Sequence, residues 1–188
     1  MLIFLPYTFH SNHYPLNKGN KHPERLGCDV ETTPLSFEFA CYSQPYKVGP
    51  LVFWAWANIL RRGNNNAALR FVKWPNEVEA SLLQQANSYG LTGPKIDFVE
   101  RIKVKAHLER SCFSDLVLDT PVLNGGTTVL DALSATVPVV TMPGQRMPAR
   151  VAVGLVQTII PSSPSGNLLV PQTMKEYENH AHDLAFAY

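Results

Sequence analysis

The sequence predicts an α/β fold, a parallel sheet with helices on both faces. Three observations carry this. Strand-like and helix-like stretches alternate from residue 36 onward, at the spacing of βαβ units. Three of the helical stretches carry one apolar stripe each. Pro138 to Met142 is an uncharged, β-branched run of the kind buried on both sheet faces.

Met1 to Leu5 reads as a short strand, and Tyr7 to Pro34 as a polar linker or surface loop without periodicity. Ser36 to Cys41 is strand-like. Pro50 opens a helix in which Phe53, Trp56, Ala57 and Leu60 share a face, and Arg61, Arg62 and Gly63 close it. Ala67 to Val72 is a strand. Asn76 to Tyr89 is a helix with Val78, Leu82, Ala86 and Tyr89 on one side, ended by Gly90. Lys95 to Val99 and Ser114 to Leu118 are strands that flank a short helix, Val104 to Cys112. Asn124, Gly125 and Gly126 make a tight turn before a helix from Thr127 to Ala135. Arg150 to Gln157 is helical, Pro161 to Gly166 is a loop, and the last helix runs from about Pro171 to Ala187 with Met174, Tyr177, Ala181 and Leu184 aligned.

Composition excludes several classes. Of 188 residues, 16 are Lys or Arg and 15 are Asp or Glu, for a net charge of +1. Non-specific nucleic-acid binding needs a basic surface, so no nucleic-acid partner is expected. The uncharged run Val48 to Leu60 falls short of the ~20 residues a membrane helix needs. The start, Met1 to Phe9, has no basic region before its apolar run, so no secretory signal is expected. Cys28, Cys41 and Cys112 are odd in number and widely spaced, which fits reduced thiols in a cytosolic setting.

Parallel sheets bind ligands beyond the carboxyl ends of their strands. Four loops therefore matter: Tyr42 to Gly49, Glu100 to Lys105, Asp119 to Thr128, and Pro143 to Pro148. In the third, two glycines allow close approach of a ligand to the backbone. Thr127 and Thr128 then place hydroxyls and free N–H groups at a helix N-terminus, which suits phosphate as well as it suits a plain capped turn. Lys47, in the first loop, can neutralise a phosphate or a leaving group; spacing alone favours a solvated lysine. His107 and Arg110 are three apart on one helix and share a face, where they can meet a base or simply face solvent. Asp131, one turn beyond Thr127, can reach a ribose hydroxyl or only complement the helix dipole. His10 and His13 have no third partner at metal-ligand spacing.

Taken together, these segments resemble a known family. The run Gln44 to Pro50 (QPYKVGP), then Trp56 to Arg62 (WANILRR), is similar to the start of the C-terminal catalytic lobe of the protein O-GlcNAc transferases, glycosyltransferase family 41. Leu118 to Asp131 (LDTPVLNGGTTVLD) resembles the donor-binding segment of that family, and Val139 to Gly144 with Arg150 to Ala152 the segment after it. Glu176 to Glu178 matches its terminal helix, and Leu2 to Phe9 the close of the preceding lobe.

The resemblance implies a GT-B fold of two Rossmann-like lobes, this chain supplying the C-terminal one. It implies inverting, metal-independent transfer of GlcNAc from UDP-GlcNAc to Ser or Thr hydroxyls of acceptor proteins, in the cytoplasm or nucleus and with no cofactor. By the same resemblance Lys47 is catalytic and stabilises the departing diphosphate. Gln44, Thr127 and Thr128 contact the phosphates, His107 stacks on uracil, Arg110 meets the base, and Asp131 holds ribose. Two positions depart from the family: Gly126 replaces a histidine, and Val104, flanked by Lys103 and Lys105, replaces a lysine. Residues 1–35 are expected to be a remnant of the preceding lobe with its linker, and 36–188 the nucleotide-sugar-binding lobe of a longer enzyme. A nucleotide-sugar-binding module or pseudoenzyme, and a SPINDLY-type transferase using GDP-fucose, are the alternative expectations.

Overall fold

The structure, a computed structural model, describes residues 37–63, 67–75, 77–91, 95–111, 113–160 and 168–186. The expected leader strand and linker, the loop at 161–166, and Cys28 and Cys112 lie outside the described residues.

Five strands form one parallel sheet: β1 (Phe37–Cys41), β2 (Ala67–Lys73), β3 (Ile96–Glu100), β4 (Leu116–Leu118) and β5 (Val139–Val140). Their order is β3-β2-β1-β4-β5. The helices are α1 (Pro50–Arg62), α2 (Val78–Ser88), α3 (Val104–Ser111), α4 (Thr127–Ser134), α5 (Val151–Ile159) and α6 (Met174–Phe186). Phe39, Ala40 and Cys41 are all buried, as are Leu116 to Leu118. Successive strand side chains point to opposite faces, so helices cover both faces here. This is the expected Rossmann-like arrangement. Burial pushes the Cys41 thiol up to about 12, so it packs as an inert apolar group.

Helix α1 behaves as its sequence requires. Pro50 sits in its first turn, where a missing N–H costs nothing, and Val52, Phe53, Trp56, Ile59 and Leu60 are buried. The helix packs on α6 through polar as well as apolar contacts. Trp56 Nε1 donates to the Tyr177 hydroxyl at 3.2 Å, and Asn58 Nδ2 donates to Glu178 Oε1 at 3.0 Å. A Cβ at Gly63 would lie 2.5 Å from the tip of the Phe186 ring, so the end of α1 packs closely against the end of α6.

Some boundaries differ from expectation. Helix α6 starts at Met174 rather than near Pro171, because Thr173 caps it: Glu176 N donates to Thr173 Oγ1 at 3.1 Å, and Thr173 N to Glu176 Oε2 at 3.2 Å. Strand β5 has only two residues, paired Val117 with Val139 and Leu118 with Val140. Thr141 N turns away to Leu169 O at 3.0 Å. Helix α2 ends in a Schellman motif, with Leu91 N bonded to Ala86 O and Gly90 in the left-handed region at φ 74°. Two short 3-10 helices, Pro45–Lys47 and Met147–Ala149, lie in loops expected to be irregular.

Candidate functional site

The strand order reverses at β1 and β4. From β1 the chain continues to β2 on one side; from β4 it continues to β5 on the other. Loops leaving two such strands diverge, which opens a crevice at their carboxyl ends. The loop after β1 carries Gln44 and Lys47. The loop after β4 carries Asp119 to Gly126 and leads into α4.

The second loop is held from beneath by Asp119, which is 1% exposed. Gly125 N donates to Asp119 Oδ1 at 2.7 Å, and the Thr141 hydroxyl to Asp119 Oδ2 at 2.6 Å. The Tyr177 hydroxyl donates to the Asp119 carbonyl at 2.8 Å, so α6 braces the end of β4. Burial pushes the Asp119 carboxyl up to about 6; hydrogen bonds from Thr141, Gly125 and Thr120 and the charge of Lys47 pull the other way. Asn124 is also buried, donating Nδ2 to Thr120 O at 3.1 Å and accepting Ala152 N at 3.3 Å. Its own carbonyl accepts Lys47 Nζ at 2.9 Å. The lysine is thus tied to the turn rather than solvated.

Gly125 has no room for a side chain. A Cβ there would lie 2.6 Å from Thr128 Oγ1, 2.9 Å from Val129 Cγ2 and 3.2 Å from Ser43 Oγ. The turn, the start of α4 and the end of β1 therefore meet at this point. Gly126 occupies the N-cap without any side-chain cap, and Thr127 is the first residue of the helix. The helix dipole makes this end electropositive.

Beside the turn lies a cleft of about 230 Å³. Gln44, His107, Arg110, Thr128 and Asp131 line it, so five of the seven singled-out residues surround one space. Lys47 and Thr127 are not on its wall; they stand at the adjoining turn. His107 lies edge-on to Tyr42, with ring centroids 4.8 Å apart, and its Nε2 is 3.9 Å from Asp131 Oδ2. Burial, then the nearby Arg110, lower the His107 pKa below its ordinary 6.5, so the ring is neutral at pH 7 and the Asp131 contact is no ion pair. Arg110 Nη1 donates to Glu100 O at 2.7 Å. Its Nε is buried and has no hydrogen-bond partner among the described residues. Burial also lowers the Arg110 pKa, and the guanidinium stays charged at neutral pH.

Sequence reasoning missed several lining residues. Tyr42 and Ser43 close the end nearest β1, and Trp74 and Arg101 form an outer wall, the guanidinium 5.1 Å over the indole ring. Tyr42, Ser43 and Arg101 lie in loops expected to matter, without being named for a role; Trp74 lies outside them, just after β2. Asp119 and Asn124 were inside a flagged loop, but their burial is invisible without the sheet. Among the described residues no three His, Cys, Asp or Glu side chains gather as metal ligands, and no helix is long and apolar enough to cross a membrane.

A family profile and two relatives point to one family. The profile of glycosyl transferase family 41 matches residues 35–186. The chain is 33% identical over 189 residues to the probable UDP-N-acetylglucosamine–peptide N-acetylglucosaminyltransferase SEC of Arabidopsis thaliana, covering 98% of this chain and 19% of that protein. It is 30% identical over 140 residues to the UDP-N-acetylglucosamine–peptide N-acetylglucosaminyltransferase of Caenorhabditis elegans, covering 74% of this chain and 12% of the relative. The chain thus spans under a fifth of the length of either. Among solved structures, a mutant O-GlcNAc transferase of Thermobaculum terrenum matches with a TM-score of 0.72 and 28% identity, covering 80% of this chain and 28% of that one. The glycosyltransferase WaaG matches with a TM-score of 0.55 at 14% identity, over 81% of this chain and 39% of that one, a likeness of fold alone. The architecture is that of the GT-B glycosyltransferases.

Proposed function

Since the chain belongs to glycosyltransferase family 41, we propose that it is the donor-binding lobe of a protein O-GlcNAc transferase, which moves GlcNAc from UDP-GlcNAc to Ser or Thr hydroxyls of acceptor proteins with inversion. One observation carries this reading furthest. The Lys47 ammonium and the N-terminus of α4 meet at the strand-order reversal, bridged by the bond from Lys47 to Asn124. That edge offers fixed positive charge for a diphosphate.

In this reading uracil enters the cleft against the neutral His107 ring. Arg110 offers its unpartnered Nε to the base, and Asp131 accepts from ribose. The phosphates lie over Thr127 and Thr128, within reach of Gln44. An acceptor hydroxyl attacks the anomeric carbon while the bond to the diphosphate breaks; the electron pair goes to the phosphate oxygen and the hydroxyl proton passes to water. An ammonium has three donors. Lys47 can therefore keep Asn124 and still meet that oxygen. A preorganised donor of this kind contributes about 3–4 kcal/mol in the transition state. Lys47 and the helix N-terminus supply the charge, so no metal or other cofactor enters the proposed reaction. Cytoplasm or nucleus is the proposed setting, where Cys41 stays a thiol.

Calorimetry of this chain with UDP, GDP and UDP-GlcNAc, followed by a transfer assay on a Ser/Thr peptide, tests the reading. UDP binding that Lys47→Ala weakens supports it. Absence of UDP binding by the folded chain overturns it. Preference for GDP would point instead to a fucose donor, and binding without transfer to a nucleotide-sugar module.

A further inference from the structure

Under the cleft runs a chain of polar side chains that the reaction above leaves unused. Tyr42 directly follows β1 and is 5% exposed. Its ring stands at 88° to the His107 ring. Its hydroxyl shares a 2.7 Å hydrogen bond with Ser114 Oγ, and Ser114 donates to Glu38 Oε1 at 3.2 Å. Glu38 pairs with Arg70 at 2.7 Å, and Arg70 Nε reaches Asp97 at 2.9 Å. Glu38, Arg70 and Asp97 come from β1, β2 and β3, with Arg70 opposite Asp97 in the register. The Tyr42 ring is therefore anchored to the sheet through its own hydroxyl.

Such a network is costly unless its members are paired, and a paired one holds its side chains rigidly. The edge-to-face geometry couples the planes of two aromatic rings. His107 sits between this anchored ring and the Asp131 carboxylate, on a short helix whose first three residues, Val104 to Ala106, are exposed. A ring that stacks on a base must present a defined plane; the helix restricts χ1 of a histidine but leaves its χ2, which sets the ring plane, broad.

We propose that Tyr42, anchored through Ser114, is a positioning residue that sets the plane of the His107 imidazole for the nucleobase; the proposal rests on the nucleotide-sugar reading above. The diphosphate end is held separately, by Lys47 and α4. Loss of Tyr42 therefore weakens ligands that carry a base and spares those that are phosphate alone.

The test uses this chain in calorimetry with UDP and with inorganic pyrophosphate, together with NMR of the His107 ring protons. Tyr42→Leu is expected to weaken UDP about five- to tenfold, leave pyrophosphate unchanged, and shift the His107 resonances through loss of the tyrosine ring current. Tyr42→Phe and Ser114→Ala keep the ring and release its anchor; each is expected to weaken UDP less than Tyr42→Leu and to move the same resonances. These two variants decide the matter should Tyr42→Leu fail to fold. Unchanged UDP affinity with unchanged His107 resonances overturns the proposal and leaves the nucleotide reading standing. Equal loss of UDP and pyrophosphate also overturns it, as general damage to the site. A wild type that binds pyrophosphate but no UDP overturns both.

Discussion

Lys47 Nζ donates to the carbonyl of Asn124 at 2.9 Å, across 77 positions of sequence. The contact joins the loops after β1 and β4, the two strands between which the sheet order reverses. It places an ammonium beside the turn that opens α4.

From this contact follows a selective effect of Lys47→Ala. A hydrogen bond to a charged group contributes about 1.5–3 kcal/mol, so UDP affinity is expected to fall roughly ten- to hundredfold. Uridine, which has no phosphate, should bind as before. Calorimetry with both ligands measures the difference, and equal losses would remove Lys47 from the phosphate site.

Gly125→Ala forces a methyl group against Thr128 Oγ1 and Val129 Cγ2, both under 3.0 Å away. Threonine and valine are stiff at χ1 and yield poorly. We expect a loss of about 1–3 kcal/mol in denaturant unfolding, with weaker UDP binding because the turn shifts. An alanine variant of unaltered stability would mean that the turn relaxes freely.

Asp119 links stability to pH. Its carboxyl titrates at about 6 in the folded chain against an ordinary 3.8, chiefly because burial disfavours the charge. Between those values the folded chain holds a proton that the unfolded chain has released. The contribution is therefore greatest below 3.8 and is lost as pH rises through about 6. Its full size is on the order of 3 kcal/mol. Relative to Asp119→Asn, the wild type should gain stability as pH is lowered from 7 to 4; parallel stability–pH curves for the two proteins would contradict this.

Tyr177→Phe removes a hydroxyl that accepts from Trp56 Nε1 and donates to the Asp119 carbonyl. All three residues are buried, so two polar groups lose their partners. A cost of about 1–3 kcal/mol is expected, read as a lower denaturation midpoint. A variant as stable as the wild type would show that α6 needs only its apolar packing.

Thr136 holds φ 61° in the Schellman turn that ends α4, where Val137 N bonds to Ala132 O. A β-branched residue is strained in that region. Thr136→Gly should stabilise the chain by about 1 kcal/mol, seen as a higher melting temperature. A lower melting temperature would mean that the threonine contributes more through its side chain than it costs through its backbone.

Local chemistry made much of the fold legible. The apolar stripe of α1, bounded by Pro50 and Gly63, and the left-handed turn at Gly90 follow from short-range sterics and periodicity. So does the shared face of His107 and Arg110, because residues three apart on a helix lie side by side. The start of α6 lies at Met174 rather than near Pro171, because the reciprocal bonds of Thr173 and Glu176 set it. Strand β5 was read too long because its apolar run continues past the two residues that β4 pairs with.

By itself the sequence determined the strand–helix alternation, the glycine turn before α4 and the likeness to glycosyltransferase family 41. Only the tertiary structure decided that Gln44, His107, Arg110, Thr128 and Asp131 face one cleft, that Lys47 is bound to the turn, and that Asp119 is buried beneath it. The reason is physical. Helical and strand periods reach over a few residues, whereas these contacts depend on which strands lie side by side, and that order is settled by burying apolar faces across the whole sheet.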